Sequence, residues 1–276
     1  MNSLQRTGLV LGLMVLISPW AVANQCLVQE EPRGNALSGG ASEDGAARQR
    51  SSVARYPLRP AGSVSVENVQ GDVRVEAWDR AEVEVAVLKR ALGPAANPDD
   101  VRIEVESDGR KLAVRATYPA PSEEPVRVDF RLRVPRQVQL ERLRTVVGDI
   151  RVRGTEGLVD ARTLNGNIEE LNITGGVVAR AINGSIAVSL RSLAEGSAPV
   201  EMETVNGHLY LGLPAEANAD LQLSAVAGRI DSKYTFKVSE VPGDASWRTT
   251  LGHGGTKIRL RTVRGDIHVT ESDELL

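Results

Sequence analysis

Cysteine, histidine and aromatic residues are all scarce in this chain of 276 residues. The single cysteine, Cys26, excludes an internal disulfide, so packing alone must stabilise the fold. The three histidines, His208, His253 and His268, do not have the spacing of a zinc motif, and we therefore expect no bound metal or other cofactor. Aromatic residues make up 3% of the chain, so its core must consist mainly of aliphatic side chains.

A basic charge balance and long apolar segments are lacking as well. The 33 lysines and arginines are outnumbered by 36 aspartates and glutamates, which gives a formal net charge of −3. Domains that bind nucleic acid are usually basic, so this balance argues against a nucleic-acid partner. The apolar run at residues 8–17 is too short to cross a bilayer comfortably, and we expect no transmembrane segment in the mature chain.

The N-terminus has the pattern of a secretory signal peptide. Arg6 precedes the apolar run, and Ala21-Val22-Ala23 is a typical cleavage site, which places the start of the mature protein at Asn24. We therefore expect an exported protein, located in the periplasm, on the cell surface or in the medium. A retained N-terminal anchor and a lipid on Cys26 are the alternatives, although Gln25 stands where a lipobox has a small residue.

A six-residue pattern recurs in the rest of the chain: a small or polar residue, an aliphatic residue, any residue, glycine, any residue and a second aliphatic residue. Its seven copies are centred on Gly71, Gly148, Gly166, Gly184, Gly207, Gly228 and Gly265. From the second copy onward these glycines are 18, 18, 23, 21 and 37 residues apart, and the last interval is about two periods. Such regular spacing is typical of stacked β units.

Apolar residues alternate on both sides of each glycine, but in opposite phase. In the Gly184 copy, Val177 and Ala179 alternate before the glycine, and Ile186 and Val188 alternate after it. A period of two indicates half-buried strands. A shift of one residue turns a straight strand inside out, so keeping both halves buried requires a bend or bulge just before the glycine. Each copy therefore predicts a strand, a corner and a second strand.

Two all-β architectures fit this pattern. The first is a β-solenoid-like stack of repeats of about 18–20 residues, in which the copies lie parallel and equivalent aliphatic residues form inward rows. The second is an antiparallel meander or sandwich, in which Asn-Gly marks hairpin turns. We favour the stack, because hairpin turns do not require the change of phase.

The patterns divide the chain into four segments. Residues 1–23 are the signal peptide, and the polar, glycine- and serine-rich residues 24–54 predict a flexible arm. Residues 55–143 alternate less regularly between turn signals and predict an antiparallel β cap at the N-terminal end of the stack. Residues 144–276 carry the regular repeats, and we expect 55–276 to form one continuous domain.

These residues resemble the bacterial putative-adhesin family, a domain of unknown function that is described by β-strand repeats. The resemblance covers roughly residues 58–270 and is carried by Val64–Val73, by Leu132–Pro135 leading to Val147–Ile150, and by the Asn-Gly copies that follow. The family implies an exported, β-solenoid-like protein and brings no catalytic residues with it.

One row of arginines is the candidate binding site. Arg144, Arg162 and Arg180 each lie four residues before a repeat glycine, on the outward phase. Parallel stacking would place these arginines one layer apart, where they would repel each other unless an anion lay between them. We predict that the row meets an acidic glycan, a lipopolysaccharide phosphate or a protein partner. Pairing with Asp160 or Glu201 on a solvated face is the simpler alternative.

The sequence lacks the motifs that are typical of catalysis and of calcium binding. The sequence has no Gly-x-Ser-x-Gly motif, and the acidic residues Asp160, Glu201 and Asp231 are scattered over different copies. Aspartates also follow three of the repeat glycines, and these side chains are expected to cap turns; they are Asp72, Asp149 and Asp266.

We therefore expect a non-enzymatic exported envelope or surface protein that mediates adhesion or structural contact, with a cell-surface glycan or an envelope protein as partner. The first alternative is an accessory, protein-binding module in envelope sensing or assembly. The second alternative is a polysaccharide-active enzyme.

Overall fold

The computed structural model describes residues 48–119, 126–193, 198–234, 239–241 and 244–275. The predicted signal peptide, Cys26 and most of the polar arm lie outside these residues. Within them the chain forms β-strands and two short 3₁₀ helices, Pro98–Asp100 and Ser272–Glu274. The described part of the chain contains no helix of the length and apolar character needed to cross a membrane. The all-β class predicted from the alternation of apolar residues is confirmed.

The strands of the described residues are numbered in chain order. They are β1 Gln49–Pro57, β2 Ser63–Glu67, β3 Val73–Trp78, β4 Glu82–Ala91, β5 Arg102–Ser107, β6 Lys111–Thr117, β7 Val126–Pro135, β8 Gln139–Val147, β9 Ile150–Arg153, β10 Val159–Asn165, β11 Ile168–Thr174, β12 Val177–Asn183, β13 Ile186–Ser192, β14 Val200–Asn206, β15 Leu209–Leu213, β16 Ala219–Ala227, β17 Ile230–Ser232, β18 Ser239–Val241, β19 Asp244–Leu251, β20 Thr256–Arg264 and β21 Ile267–Glu271.

These strands form two mixed sheets. Sheet A has ten strands in the order β1-β4-β7-β3-β9-β11-β13-β15-β21-β17. Sheet B has eleven strands in the order β18-β19-β16-β20-β14-β12-β10-β8-β2-β6-β5. The inward side chains of both sheets belong to one aliphatic core, in which Phe130 is a rare aromatic member. An aliphatic core is what the scarcity of aromatic residues predicted.

Each repeat copy contributes one strand to each sheet, and we call such a pair of strands a layer. In the Gly166 layer the strand before the glycine, β10, lies in sheet B, and the strand after it, β11, lies in sheet A. Neighbouring layers run parallel and in register, since Ile168 is paired with Ile150 on one side and with Ile186 on the other. The repeats therefore lie alongside one another in parallel, as the change of phase at each corner indicated.

The recurring glycine allows neighbouring layers to approach closely at the corner. A Cβ atom on Gly166 would lie 2.0 Å from the carbonyl oxygen of Gly148, far inside van der Waals contact. The backbone φ of Gly166 is +156°, a value that side chains rarely permit. A Cβ would meet the neighbouring layer's backbone equally closely at the other repeat glycines, which are Gly71, Gly148, Gly184, Gly207, Gly228 and Gly265.

The first aliphatic residue of the six-residue pattern lies exposed at the corner. Leu164 and Ile182, each two residues before a repeat glycine, are 42% exposed. The chain turns through this position and the next one, so both side chains lie on the outside of the corner. The residue one position earlier, Thr163, is the last one to face the core, and its Oγ1 donates to the carbonyl oxygen of Gly148 at 3.0 Å.

Both ends of the stack depart from sequence order. At the C-terminal end, β20 and β21 lie between the Gly207 layer and the Gly228 layer. The interval of 37 residues before Gly265 therefore does not hold a skipped period; it contains β18 and β19, which extend sheet B beyond β16. At the N-terminal end the same kind of insertion occurs: β2 lies between β6 and β8 in sheet B, and β3 lies between β7 and β9 in sheet A.

The N-terminal cap is mixed and not purely antiparallel. Antiparallel pairs join β1 with β4, β4 with β7, and β5 with β6. In contrast, β2 and β3 are parallel to the strands on both sides of them. The Gly71 copy explains this difference, because its two strands form a layer like those of the later repeats.

The predicted flexible arm ends earlier than Ala54. Gln49–Pro57 form β1, which pairs with β4 along its whole length at the edge of sheet A. Most side chains of β1 are exposed or half-buried, and only Tyr56 is buried. An edge strand with so few core contacts has the polar composition of a linker, which explains why the sequence pattern did not reveal it.

Candidate functional site

The predicted arginine row is assembled, but carboxylates neutralise it. Arg162 lies in register with Arg144 on one side and Arg180 on the other. Both terminal nitrogens of Arg144 donate to the carboxylate of Asp160 at 3.0 Å. Arg162 contacts the same carboxylate at 3.2 Å, and Arg180 contacts Glu201 at 3.2 Å. The row thus carries its own counter-ions, which is the simpler alternative that the sequence left open.

Further cations, of which only Arg259 contacts a carboxylate among the described side chains, lie farther along the same face. Lys257, Arg259 and Arg261 alternate on β20 and are exposed, and Arg248 is exposed on β19. Arg259 and Arg248 both lie opposite Gln222, so they flank it across three adjacent strands. Among the side chains that the structure describes, no carboxylate lies within 4.0 Å of Lys257, Arg261 or Arg248.

These side chains border a concave region that we call the basic groove. It is a cavity of about 1050 Å³ lined by Arg248, Lys257 and Arg259 together with polar and acidic residues. Of its two carboxylates, Glu201 is shared between Arg180 and Arg259, at 3.2 and 3.6 Å. The groove therefore has a positive excess. The alternation of cations in Lys257-x-Arg259-x-Arg261, on the outward phase before a repeat glycine, is a signal that the sequence analysis missed.

The second carboxylate of the groove is held in place by neutral groups. Asp220 accepts a hydrogen bond from Thr250 Oγ1 at 2.9 Å and one from the backbone N–H of Gly255 at 3.4 Å. Its charge remains on the groove wall, so a ligand must place its anionic groups closer to Lys257 and Arg259 than to Asp220.

A row of exposed aliphatic residues follows the corners of the stack. Its members occupy the position two residues before the repeat glycine, and we call them the edge row. The clearly exposed ones are Val69 (45%), Val146 (39%), Leu164 (42%), Ile182 (42%) and Val226 (56%). Single exposed aliphatic residues are common on proteins, but four of them on successive layers, from Val69 to Ile182, are unusual and indicate a contact surface.

The residues that follow the repeat glycines form a ladder of hydrogen bonds between layers. Each side chain accepts from the backbone N–H of the equivalent residue in the next layer. The hydrogen bonds are 2.8–3.2 Å long. Given as backbone N–H donor and side-chain acceptor, the pairs are Asp149 and Asp72, Asn167 and Asp149, Ser185 and Asn167, His208 and Ser185, Asp266 and His208, and Arg229 and Asp266. The aspartates predicted to cap turns thus bond to the next layer and not within their own turn.

This ladder brings two histidines together that are 60 residues apart in the sequence. His208 and His268 lie on adjacent layers, because β21 pairs directly with β15. One nitrogen or oxygen atom from each of His208, Asp266 and His268 lies within 4.8 Å of the others. The hydrogen bond that Asp266 accepts from the backbone N–H of Arg229 is the main interaction that holds the pKa of Asp266 below its usual value. Sequence spacing could not find this cluster, because it depends on the insertion of β20–β21.

The third histidine and the scattered acids lie elsewhere. His253 is exposed in the loop after β19, where its backbone N–H donates to Asn218 Oδ1 at 2.9 Å. Asp160 and Glu201 are on sheet B, whereas Asp231 is on sheet A near His268. The three acids therefore do not converge on one point.

A charged residue in the core escaped the sequence analysis. Glu170 is fully buried and replaces the inward aliphatic residue found four positions after the glycine in the two flanking layers, Val152 and Val188. Neither carboxyl oxygen has a hydrogen-bond partner among the described residues. Burial, with a smaller contribution from the charge of Asp160, raises the pKa of Glu170 to about 8. Among the repeat copies, only the Gly166 copy has a charged residue at this position, and that was the available signal.

These features define an all-β protein of two mixed sheets whose parallel layers present ordered rows of side chains. No family model matches the chain, and no curated protein matches it. The chain is similar to the crystal structure of a putative cell adhesion protein from Clostridium sporogenes, with 10% identity, 80% of this chain and 100% of that chain covered, and a TM-score of 0.43.

It is also similar to a putative adhesin from Bacteroides fragilis, with 10% identity, 80% and 97% coverage and a TM-score of 0.44. A putative lipid binding protein from Parabacteroides distasonis matches with 10% identity, 80% and 96% coverage and a TM-score of 0.28. The first two descriptions agree with the resemblance of the sequence to the putative-adhesin family.

Proposed function

We propose that the protein is a non-enzymatic exported contact module of the bacterial envelope that binds polyanionic glycan in the basic groove. The observation that carries this proposal is the concave surface of about 1050 Å³ in which Arg248, Lys257 and Arg259 outnumber the carboxylates. We further propose that the layers wind as a β-solenoid-like stack, supported by the parallel register of successive repeats. The signal-peptide pattern of residues 1–23 supports export.

The chemistry of the groove suits carboxylate or phosphate groups on an extended polymer. Lys257 and Arg259 in the groove are followed on the same strand by Arg261, which does not line the groove, and the attachment points of successive cations are roughly 6.8 Å apart. A polymer with regularly spaced anions can contact several of these cations at once. Arginine adds geometric selectivity, because its planar guanidinium group can bind a carboxylate or a phosphate through two hydrogen bonds.

The proposal is tested by binding measurements on the untagged mature protein. The ligands are polygalacturonate, which carries carboxylates, lipopolysaccharide, which carries phosphates, and neutral dextran. Lys257→Glu combined with Arg259→Glu should weaken binding of either anionic polymer at least about tenfold at low salt, since two phosphate- or carboxylate-binding cations become repulsive. Binding of the wild type should fall as salt rises.

A matched control reverses two exposed cations at the opposite end of sheet B, Arg102→Glu with Lys111→Glu. This variant should bind like the wild type. Equal losses in both variants, or equal binding of dextran and the anionic polymers, would contradict a specific role for the basic groove.

The edge row favours a second candidate function, an accessory protein-binding module in envelope sensing or assembly. An apolar row along the corners suits a protein partner better than a hydrated glycan. A photo-crosslinker at Leu164 should then capture one defined envelope protein in cells, and Ile182→Glu should abolish capture. A crosslinker at the exposed Glu76 of sheet A is the control. If both sites give the same products, the second candidate is rejected.

An enzyme acting on polysaccharides finds less support. Such chemistry needs two carboxyl groups on either side of one bond. Of the acids considered, Asp160 and Glu201 are engaged by arginines, and Asp231 lies on the other sheet.

A further inference from the structure

The outer face of sheet A carries a second cluster, which is distinct from the basic groove. His208 directly follows Gly207 on this face, and Asp266 and His268 lie in the neighbouring Gly265 layer. Their ligand atoms lie within 4.8 Å of one another, and the three side chains are partly exposed, so a small ion can reach them. Two imidazoles and one carboxylate are a donor set that zinc and similar transition-metal ions use in proteins.

Neighbouring groups orient two of the three side chains. The carboxylate of Asp266 accepts the backbone N–H of Arg229 at 2.8 Å through Oδ1, and its Oδ2 atom lies 3.8 Å from the Arg229 guanidinium and 3.9 Å from Nδ1 of His208. The Oδ2 atom of Asp231 lies 3.8 Å from Nδ1 of His268. A carboxylate on this side favours a proton on Nδ1 and leaves Nε2 available to a metal, an arrangement common around histidine ligands.

The ring of Tyr210 restricts the same histidine. It stacks on the ring of His268 with centroids 5.1 Å apart and an angle of 10° between the planes. Because Tyr210 and His268 are register partners on β15 and β21, the stack follows from the pairing of these strands. A ligand whose ring is held in this way loses less rotational freedom on binding a metal.

His208 has to change its hydrogen bonding if it binds a metal. Its Nδ1 accepts the backbone N–H of Asp266 at 3.0 Å, so a neutral ring carries its proton on Nε2. When a metal takes Nε2, the proton moves to Nδ1, and the ladder bond from Asp266 is lost. Metal binding therefore competes with one link of the ladder, and the loss of this link can be measured separately from the affinity.

We propose that His208, Asp266 and His268 bind one divalent transition-metal ion of the zinc type on the face of sheet A. This inference is independent of the proposed glycan contact. The ion would join two adjacent layers at the place where β20–β21 are inserted into the stack.

Isothermal titration of the untagged, chelator-treated protein with Zn²⁺ tests the proposal. One ion should bind per chain, and Mg²⁺ should not compete. His208→Asn keeps a ladder acceptor of the kind that Asn167 provides two layers away, so it removes the imidazole without removing the link. His208→Asn, Asp266→Asn and His268→Ala should each weaken zinc binding at least about tenfold. The control, His253→Ala, removes the remaining histidine and should leave the affinity unchanged.

Hydrogen exchange distinguishes zinc binding at this site from non-specific adsorption of zinc to the protein surface. Zinc should speed exchange of the Asp266 backbone amide in the wild type, because its acceptor on His208 becomes protonated. Absence of zinc binding, or the same affinity in wild type, His208→Asn and His268→Ala, would overturn the proposal.

Discussion

In the central layers, from Gly148 to Gly207, spatial order follows sequence order, whereas at each end a pair of strands is inserted out of order. The central layers are covered on both sides by parallel copies of themselves. The end layers have no further copy beyond them and are extended by strands such as β18 and β19 in sheet B or β1 and β4 in sheet A. The same repeat thus has a different environment at the centre and at the ends.

The difference shows that the repeat pattern specifies how one layer pairs with the next, whereas the strands at the two ends cover the outermost layers. An open stack of parallel layers would expose unpaired backbone groups at both ends, which invites further pairing between chains. Antiparallel strands at the ends cover the neighbouring layers, and the chain then returns to fill the adjacent position. A substitution at a given repeat position should therefore change the free energy of unfolding more in a central layer than in an end layer.

The largest effect is expected for a charge in the core of a central layer. Ile168 is 1% exposed, and Ile168→Asp should lower the free energy of unfolding by about 4 kcal/mol or more, because an unpaired carboxylate would be buried. Ile230 occupies the same repeat position in the terminal Gly228 layer and is half-buried, so Ile230→Asp should cost about 1–2 kcal/mol. Thermal melts followed by circular dichroism measure both changes.

Asn167→Asp is the control for this comparison. Asp keeps the side-chain oxygen that accepts the N–H of Ser185, so the change should stay within about 0.5 kcal/mol. Equal destabilisation by Ile168→Asp and Asn167→Asp would show that the inward and outward assignments are wrong.

An intermediate effect, dependent on pH, is expected at Glu170. The native state keeps its proton up to about pH 8, whereas an unfolded glutamate loses it near 4.5. The native state therefore binds one more proton between these values, so stability is full below pH 4.5 and declines as pH rises through 8. The decline amounts to about 1.4 kcal/mol per pH unit, or on the order of 4 kcal/mol between pH 5 and pH 8.

Glu170→Val should remove this decline and stabilise the protein most at alkaline pH. In the terminal layer the equivalent residue is Ser232, which is polar but partly exposed and causes no comparable burial. Urea unfolding at pH 5, 7 and 9 compares wild type, Glu170→Val and the outward control Glu169→Gln. If wild type and Glu170→Val show parallel pH profiles, the carboxyl group is not the cause.

The smallest effect is expected at the corner hydroxyl groups. Thr163→Val removes the hydrogen bond to Gly148 and should cost about 1 kcal/mol. Ala181 occupies the same position in the next layer, so Ala181→Thr should add an equivalent bond to Gly166 and gain less than about 1 kcal/mol. Shifts of the urea midpoint in opposite directions are the expected result, and shifts of the same sign would exclude a shared role for this position.

The repeat glycines, the parallel strands and the stacking of Arg144, Arg162 and Arg180 could be predicted because each depends on a period that is visible in the chain. The partners of these arginines could be given only as alternatives, since ion pairing depends on side-chain positions across layers. The exposure of Leu164 and Ile182 could not be predicted, because a period of two does not say which residue of a corner turns outward. The strand at Gln49–Ala54 was missed because an edge strand buries too little to leave a pattern.

The periodic pattern alone established an all-β chain and favoured parallel layers over an antiparallel meander, because the change of phase at each glycine requires a corner between two buried strands. The order of the layers at the two ends became visible only in the folded protein. That order placed His208 beside His268 and collected Arg248, Lys257 and Arg259 around one groove. The physical reason is that local periodicity specifies the shape of a layer, whereas contacts between distant segments form only when the ends of the stack are closed.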